Sequence, residues 1–414
     1  MLKKCRPLLS VLLALLLLLA VVVSVPASVY ATGMPADASA PVEQSTVSEP
    51  EVSVWQPQEE GAQPDDLSAE ALQSASLEIS EVPALLRERV AEAQSLSAAP
   101  VHRLYAQEDD LNTVVFQNRD GSKTMYSFAE PVKFIDETGA VRDKSNAVVA
   151  SSGTYAFENA ANDVRVRFPA SIASGLLLER DAVSLRLVPD QPAVQAYGAQ
   201  KLAAAAGAED GEQVSYAGVF GPQTRLVYTP TYSGVKEDIV LEAYTGQNAF
   251  SFILETGGLT LCAEDGRFCL RDPLTGEEQA EIGNIVVYDA AGTMVAGTLA
   301  FETLEADARY RLTVRAPEEF LTDPSTVYPV TVDPTVTFNS ASHIYDAIVY
   351  SNKPSGAFGS YHYENVGYLD SSYGVGRLLL RCPGLTSSNA FTSLASTSQI
   401  NSVKLYLHAD SGGS

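Results

Sequence analysis

From about residue 100 onward, hydrophobic and polar residues alternate with a period of two, as in β-strands that bury one face. Segments with Asp and Gly, such as residues 136–139 and 289–292, interrupt the alternation and are typical of tight turns. The pattern predicts an all-β fold, with an antiparallel β-sandwich or barrel-like region. The predicted strands after the first hairpin span residues 164–168, 176–179, 183–188, 225–228, 239–244, 250–255, 285–288, 294–301 and 310–314.

The first predicted hairpin lies between residues 114 and 126. Asp120 and Gly121 are favourable residues for a two-residue turn between two strands. A two-residue turn at this position would place Phe116 opposite Met125 and Val115 opposite Tyr126. The sequence therefore predicts a specific register as well as a hairpin.

Residues 1–31 have the features of a secretory signal peptide. Lys3, Lys4 and Arg6 precede an unbroken apolar run over residues 11–23, and small residues precede a cleavage point after Ala31. This segment predicts an N-terminal signal helix and a secreted or cell-surface protein. An uncleaved N-terminal membrane anchor is the alternative, because about 20 apolar residues can span a bilayer.

Residues 32–80 are rich in acidic residues, Pro, Ser and Ala and contain no Lys or Arg. Such a composition buries too little apolar surface to offset the chain entropy, so it predicts a disordered spacer. Residues 81–100 follow with apolar residues Val82, Leu86 and Val90 near a helical period. They predict a short amphipathic helix, which leads into a β-rich domain over residues 101–335.

The charge balance and the scarcity of histidine restrict the chemistry. The chain has 51 acidic and 27 basic residues, and removal of residues 1–31 would change the formal net charge from −24 to −27. A chain this acidic predicts no nucleic-acid partner, since phosphate binding needs a positive surface. No histidine lies between His102 and His343, so the usual general base and metal ligand are missing there. The sequence predicts no enzyme, cofactor or metal site.

Glu237 and a pair of cysteines are the residues with unusual placements. Glu237 shares one face of its predicted strand with apolar residues. The sequence predicts that it lies at the rim of the core, because an unpaired buried charge is costly. The alternatives are a hydrogen-bonded carboxyl group and a functional acid in a pocket. Cys262 and Cys269 flank a predicted two-residue turn and should lie directly opposite each other. Either a disulfide or two free thiols would fit that arrangement.

Several stretches in a fixed order resemble a known family of large bacterial surface proteins. They are DGS at 120–122, PVKFID at 131–136, GAVRDKSN at 139–146, VKEDIVL at 235–241 and YPVTVDPTV at 328–336. This set resembles the N-terminal region of RHS/YD-repeat, wall-associated-type proteins over residues 112–336. Val141 stands where the family pattern has Trp. The resemblance implies a non-catalytic secreted or cell-surface module of a larger protein that serves export, presentation and adhesion.

The stretch from residue 346 to 407 resembles the start of a DNRLRE domain, on features such as DAIVY at 346–350, GRLLLR at 376–381 and INSVKLYL at 400–407. That family implies a partial jelly-roll β-sandwich over residues 336–414. As an alternative function, the resemblance implies a carbohydrate-binding module that targets a downstream enzyme to cell-wall or extracellular polysaccharide. Aromatic rings stack on sugars, so the candidate ligand-binding residues are Tyr361, Tyr363, Tyr368 and Tyr373.

Overall fold

The structure is a computed structural model of the 414-residue chain. It describes residues 11–13, 66–96, 98–108, 110–190, 198–202, 211–264, 267–338, 345–353, 364–368, 371–372, 374–381 and 402–404. Within these ranges, no helix combines the length and the apolar character needed to cross a membrane.

The first described elements form a small N-terminal module of helical turns and short sheets. Its strands form a three-stranded antiparallel sheet and a separate hairpin, in the orders β2-β3-β4 and β5-β6. Short 3-10 turns at Ile79–Glu81, Ala84–Leu86 and Tyr105–Gln107 connect them. The first strand, β1 (Val11–Leu13), belongs to a different sheet. The elements of the module are α1 (Ala69–Ser74), α2 (Arg87–Ala93), β2 (Pro100–Arg103), β3 (Thr113–Asn118), β4 (Lys123–Ser127), β5 (Lys133–Ile135) and β6 (Val141–Asp143).

Part of the predicted disordered spacer is ordered. The Ser68 hydroxyl accepts a hydrogen bond from the backbone N–H of Ala71 and caps α1, and Leu72 in that helix is buried. The backbone of Leu67 also exchanges two hydrogen bonds with the buried side chain of Gln117 on β3. The end of the predicted spacer is therefore ordered and bonded to β3, although its composition predicts disorder. The single helix predicted over residues 81–100 is instead a 3-10 turn followed by α2.

The hairpin of β3 and β4 exists, but its register differs by one residue from the prediction. Phe116 lies opposite Thr124, and Val115 lies opposite Met125. The loop has three residues between Asn118 and Ser122: the N–H of Gly121 donates to the carbonyl of Asn118, and Gly121 has a φ of 83°. This geometry corresponds to a type I turn followed by a left-handed glycine, which adds one residue to the loop.

The main body follows as a long series of antiparallel strands with one further helix. The first of these are β7 (Ser145–Ala150), β8 (Tyr155–Ala161), β9 (Arg165–Pro169), β10 (Leu176–Arg180), β11 (Val183–Pro189), β12 (Gln200–Leu202), β13 (Gln213–Ala217), β14 (Thr224–Pro230) and β15 (Gly234–Leu241). The others are β16 (Ala249–Glu255), β17 (Thr260–Glu264), β18 (Arg267–Arg271), β19 (Glu278–Ile282), β20 (Val286–Tyr288), β21 (Met294–Ala296), β22 (Thr298–Glu305), β23 (Arg309–Arg315), α3 (Glu318–Thr322), β24 (Val330–Asp333) and β25 (Thr335–Phe338).

These strands form two antiparallel sheets that share one core. The first sheet has the order β22-β23-β16-β11-β10-β9-β8-β7. The second has the order β12-β13-β14-β15-β25-β19-β18-β17, and β24 joins β20 and β21 to it. Apolar side chains from both sheets pack in one cluster, in which Phe220 makes edge-to-face contacts with Phe250 and Phe252. The prediction of an all-β, antiparallel sandwich is confirmed.

The last described strands form a four-stranded antiparallel sheet in the order β1-β27-β28-β26. They are β26 (Tyr345–Tyr350), β27 (Glu364–Tyr368) and β28 (Val375–Arg381). The three described residues of the predicted signal helix thus form the edge strand β1, paired with β27. The predicted cleavage point at Ala31 lies outside the described residues.

Candidate functional site

Glu237 lies inside the fold, not at the rim of the core where the sequence predicts it. It lies on β15, which is flanked by β14 on one side and by β24 and β25 on the other. Only 2% of Glu237 is exposed, and its Oε1 accepts a hydrogen bond of 2.8 Å from the hydroxyl of Tyr228. The rim prediction fails because β15 is an interior strand over its whole length, with no end at solvent.

Burial raises the pKa of Glu237 to about 8; the Tyr228 hydrogen bond opposes the rise, and the charges of Asp238 and Asp333 add to it. The carboxyl group is therefore neutral over most of the physiological pH range. Because it is enclosed and already bonded to Tyr228, it has no access to a macromolecular substrate. We assign Glu237 a structural role in the core.

A second cluster occupies the opposite face of β15. Lys236 Nζ lies 2.5 Å from Asp238 Oδ1 and 3.1 Å from Asp333 Oδ2, and it lies over the ring of Tyr288. Burial raises the pKa of Asp333 to about 6, against the opposing charge of Lys236. The ammonium already occupies the position between the two carboxylates. Across the described part of the chain, no three His, Cys, Asp or Glu side chains form a group that could hold a metal ion.

Cys262 and Cys269 lie directly opposite each other on β17 and β18, as their spacing predicts. Both are free thiols in the structure, and their Sγ atoms are 2.8 Å apart. Burial and the neighbouring Cys262 raise the pKa of the Cys269 thiol to about 12, so it has little nucleophilic thiolate at neutral pH. The register therefore agrees with the predicted pairing of the two strands, and the choice between a disulfide and two free thiols stays a prediction.

The predicted sugar-stacking residues fall at the margin of the described structure. Tyr361, Tyr363 and Tyr373 lie outside the described residues. Tyr368 is the last residue of β27, of which the backbone course alone is described. The sugar-binding role of these four tyrosines therefore stays a prediction.

The outer face of the first sheet carries a set of arginines that the sequence reasoning misses. Glu255 lies directly opposite Arg309 on one neighbouring strand and opposite Arg186 on the other. The same row continues across the sheet through Leu177 and Arg167 to Glu158. Alternating charges at directly opposed positions attract each other across the strands. The described arginines of this face are Arg165, Arg167, Arg186, Arg309, Arg311 and Arg315, and we call them the arginine face.

A groove of about 490 Å³ opens on this face. Its lining includes Tyr155, Arg186, Glu255 and Arg309, with hydroxyl groups from Thr154 and Ser174. The guanidinium of Arg167, next to the groove, lies 5.7 Å from the centre of the Tyr155 ring. Cationic groups beside an aromatic ring and hydroxyls suit an anionic ligand with a planar part.

The arginines around the groove have loose ion pairs. Arg186 lies 3.8 Å from Glu255, Arg309 lies 3.9 Å from the same carboxylate, and Arg165 lies 3.6 Å from Glu158. Arg311 differs, because it lies within 2.7 Å of both Asp190 and Glu302. The loosely paired guanidinium groups are partly exposed, so they retain hydrogen-bond donors for a ligand.

No family model matches this chain. Curated relatives include the tRNA nuclease WapA of Bacillus subtilis strain 168, the tRNA(Glu)-specific nuclease WapA of Bacillus subtilis subsp. natto and the tRNA3(Ser)-specific nuclease WapA of Bacillus spizizenii. By name, these relatives cleave tRNA. Each is 28% identical to this chain over 152 residues, which are 35% of the chain. The chain spans only 6% of the length of these relatives.

This similarity contradicts two predictions from the sequence. The prediction that the chain is no enzyme conflicts with relatives that are named as nucleases, and the prediction of no nucleic-acid partner conflicts with tRNA as their named substrate. The net charge of −24 averages over the whole chain, whereas binding depends on a local surface, so this charge does not exclude a nucleic-acid partner. The recurrence of arginine at every second position, as in Arg165 and Arg167, is the signal in the sequence that indicates the arginine face.

Proposed function

We propose that this chain is an exported β-sandwich portion of a larger bacterial tRNA nuclease of the WapA type. In this proposal residues 1–31 direct export, and the sandwich presents the nuclease at the cell surface. The observation that carries the proposal is the similarity over 152 residues to three proteins named as tRNA nucleases. The resemblance of residues 112–336 to wall-associated-type surface proteins supports the same assignment.

The architecture is compatible with this role. Two large sheets share one extensive apolar core, and the chain carries a large excess of acidic residues that favours solubility outside the cell. Residues 336–414 fit the proposal as the beginning of a further β-domain of the DNRLRE type. Cleavage of tRNA is proposed for the larger protein as a whole and not for this chain alone.

Cell fractionation of the source bacterium, with antibodies against the 98–338 region, tests the location. The full-length protein should be found in the wall fraction or the medium, and the purified full-length protein should cleave bulk tRNA. A protein confined to the cytoplasm would overturn the proposed export and presentation. Failure to cleave any tRNA, with correct export, would overturn the nuclease assignment alone.

A second candidate function is direct contact with the tRNA through the arginine face. The observation that favours it is the groove in which Arg186 and Arg309 lie beside Tyr155 with loose ion pairs. Arginine pairs well with phosphate oxygens, and an aromatic side chain can stack on an unpaired base. The acidic remainder of the chain would limit binding to this one surface.

Replacing both Arg186 and Arg309 with glutamine should weaken the binding of bulk tRNA to the full-length protein. The two substitutions should also lower the slope of log K against log salt by about two, one for each lost phosphate contact. Filter binding over a salt series measures both quantities.

Arg225→Gln with Arg271→Gln is the matched control. It removes the same charge from the second sheet, where these arginines pair with Glu242 and Glu264. Equal loss of binding in the two double variants would show that net charge alone matters and would refute a role for the groove.

A further inference from the structure

A buried polar seam joins the N-terminal module to the sandwich. Lys144 lies in the single-residue connection between β6 and β7, and Asp163 lies in the turn between β8 and β9. Glu130 comes from the segment between β4 and β5, and Tyr232 and Ser233 come from the turn between β14 and β15. Four distant parts of the chain therefore meet at this seam.

Lys144 is held in this seam with its amino group against a carboxylate. Only 3% of its side chain is exposed, its Nζ donates a hydrogen bond of 2.8 Å to the carbonyl of Tyr232, and the same Nζ is in direct contact with Oδ1 of Asp163. Burial lowers the pKa of Lys144, against the opposing charge of Asp163, and so favours the free amine. A free amine is the nucleophilic form of lysine.

Asp163 presents its carboxyl group in an unusual way. Its Oδ1 is buried and forms an ion pair with the Lys144 amine, while 29% of the Asp163 side chain is exposed. Its Oδ2 lies 3.4 Å from Nε of Arg180, which polarises the carboxyl group. The nitrogen that would attack is thus in direct contact with the carboxyl group.

Glu130 supplies a carboxyl group that is partly protonated at neutral pH. It is 5% exposed, and its Oε1 has no hydrogen-bond partner. Burial raises the pKa of Glu130 to about 7, against the opposing effects of the Ser233 hydroxyl and the Lys144 charge. Its charge interacts with that of Lys144, and it contacts Ser233, which is next in sequence to Tyr232, the residue whose carbonyl accepts a hydrogen bond from Lys144.

We propose that Lys144 Nζ and Asp163 Cγ form an intramolecular amide bond, with Glu130 as the proton relay. The ammonium first gives one proton to the Asp163 carboxylate, which leaves a neutral amine and a neutral acid. The amine then attacks Cγ and forms a tetrahedral centre. Glu130 donates a proton to the departing hydroxyl group and takes a proton from the nitrogen. One C–N bond forms, one C–O bond breaks and one water molecule leaves, with no oxidant or other reactant.

Such a bond would close a covalent loop between residues 144 and 163. It would fix the connection between the β5-β6 hairpin and the first sheet, and it would limit the unfolded states of that region. The bond can form only after folding, because its groups come from separate strands and turns. It suits a protein that acts outside the cell, where no chaperone refolds it.

Mass spectrometry of the full chain tests the proposal. Wild-type protein, purified and digested, should give a branched peptide that joins the Lys144 and Asp163 segments and weighs one water molecule less than their sum. Lys144→Arg and Asp163→Ala should abolish it. Glu130→Gln should keep the native circular dichroism but form the branched peptide far more slowly.

The buried pair of Lys133 and Glu108 is the internal control, with Nζ 2.9 Å from Oε2. Glu108 is fully bonded by Arg103 and by the backbone of Val115, so its peptide should remain unbranched in the same digest. Separate, unmodified Lys144 and Asp163 peptides from folded wild-type protein would overturn the proposal, whatever the variants do. A branched peptide of normal yield in Glu130→Gln would refute the relay.

Discussion

Replacing Arg103 with alanine should destabilise the N-terminal module by about 3–5 kcal/mol, because it removes the buried cation that pairs with both Glu108 and Asp143. Only 1% of Arg103 is exposed. Its guanidinium donates to both oxygens of Glu108 and of Asp143 and to the carbonyl of Glu81. Burial alone would lower the pKa of Arg103, but the hydrogen bonds to Asp143 and Glu108 outweigh burial and raise it. The cation thus joins three separate segments of the module.

Urea unfolding followed by circular dichroism measures the loss, and hydrogen exchange of peptides from residues 66–143 localises it. Arg142→Ala is the control, since this neighbouring arginine pairs with Asp136 at the surface and should contribute less than about 1 kcal/mol. A loss in Arg103→Ala no larger than in Arg142→Ala would contradict the assigned role. Exchange that increases equally in the sandwich would show that the two parts unfold together.

The alternation of apolar residues predicts the architecture because it reports directly which face of each strand is buried. The strand predicted over residues 250–255 is β16, whose inward residues Phe250, Phe252 and Leu254 all lie in the core. The strand predicted over residues 294–301 is instead two strands in different sheets. At Gly297, which separates them, an added Cβ would lie 2.5 Å from Ile285. A hydropathy pattern cannot predict such close packing between sheets.

Local turn geometry and strand order account for the wrong predictions. Asp120 and Gly121 suit both a two-residue and a three-residue loop, and the Asp120 carboxylate, which accepts from the N–H and the hydroxyl of Ser122, belongs to the longer one. The position of Glu237 depends on β24 and β25, which pair with β15 from almost a hundred residues away. No local pattern could place those strands beside it.

The candidate site depends on register in the same way. The sequence shows arginines at alternate positions, but only the pairing of β23, β16 and β11 brings Arg309 and Arg186 to the two sides of Glu255. The polar seam also requires tertiary structure, since Glu130, Lys144 and Asp163 meet only when the module and the sandwich are joined. The positions of charged residues that pack inside the fold are therefore the feature that composition predicts least well.

The stability of the sandwich should fall as the pH rises from about 5 to 8, and Glu237→Gln should remove part of this dependence. The carboxyl group of Glu237 has a pKa of about 8 in the folded chain and about 4.3 when unfolded. Between these values the folded chain holds a proton that the unfolded chain has lost. The stabilisation is complete below the unfolded pKa and is lost as the pH approaches the folded pKa, at about 1.4 kcal/mol per pH unit.

Urea unfolding at half-unit pH intervals measures the slope in wild type and variant. Glu237→Gln keeps an acceptor for the Tyr228 hydroxyl, so its slope should be less steep by about 1.4 kcal/mol per pH unit between pH 5 and 7. Glu319→Gln, at an exposed position on α3, gives the effect of removing one surface charge alone. Parallel curves for wild type and Glu237→Gln would show that Glu237 is ionised in the fold. The enclosed carboxylate would then need a cation or water beside it, and its structural role would have to be reassigned.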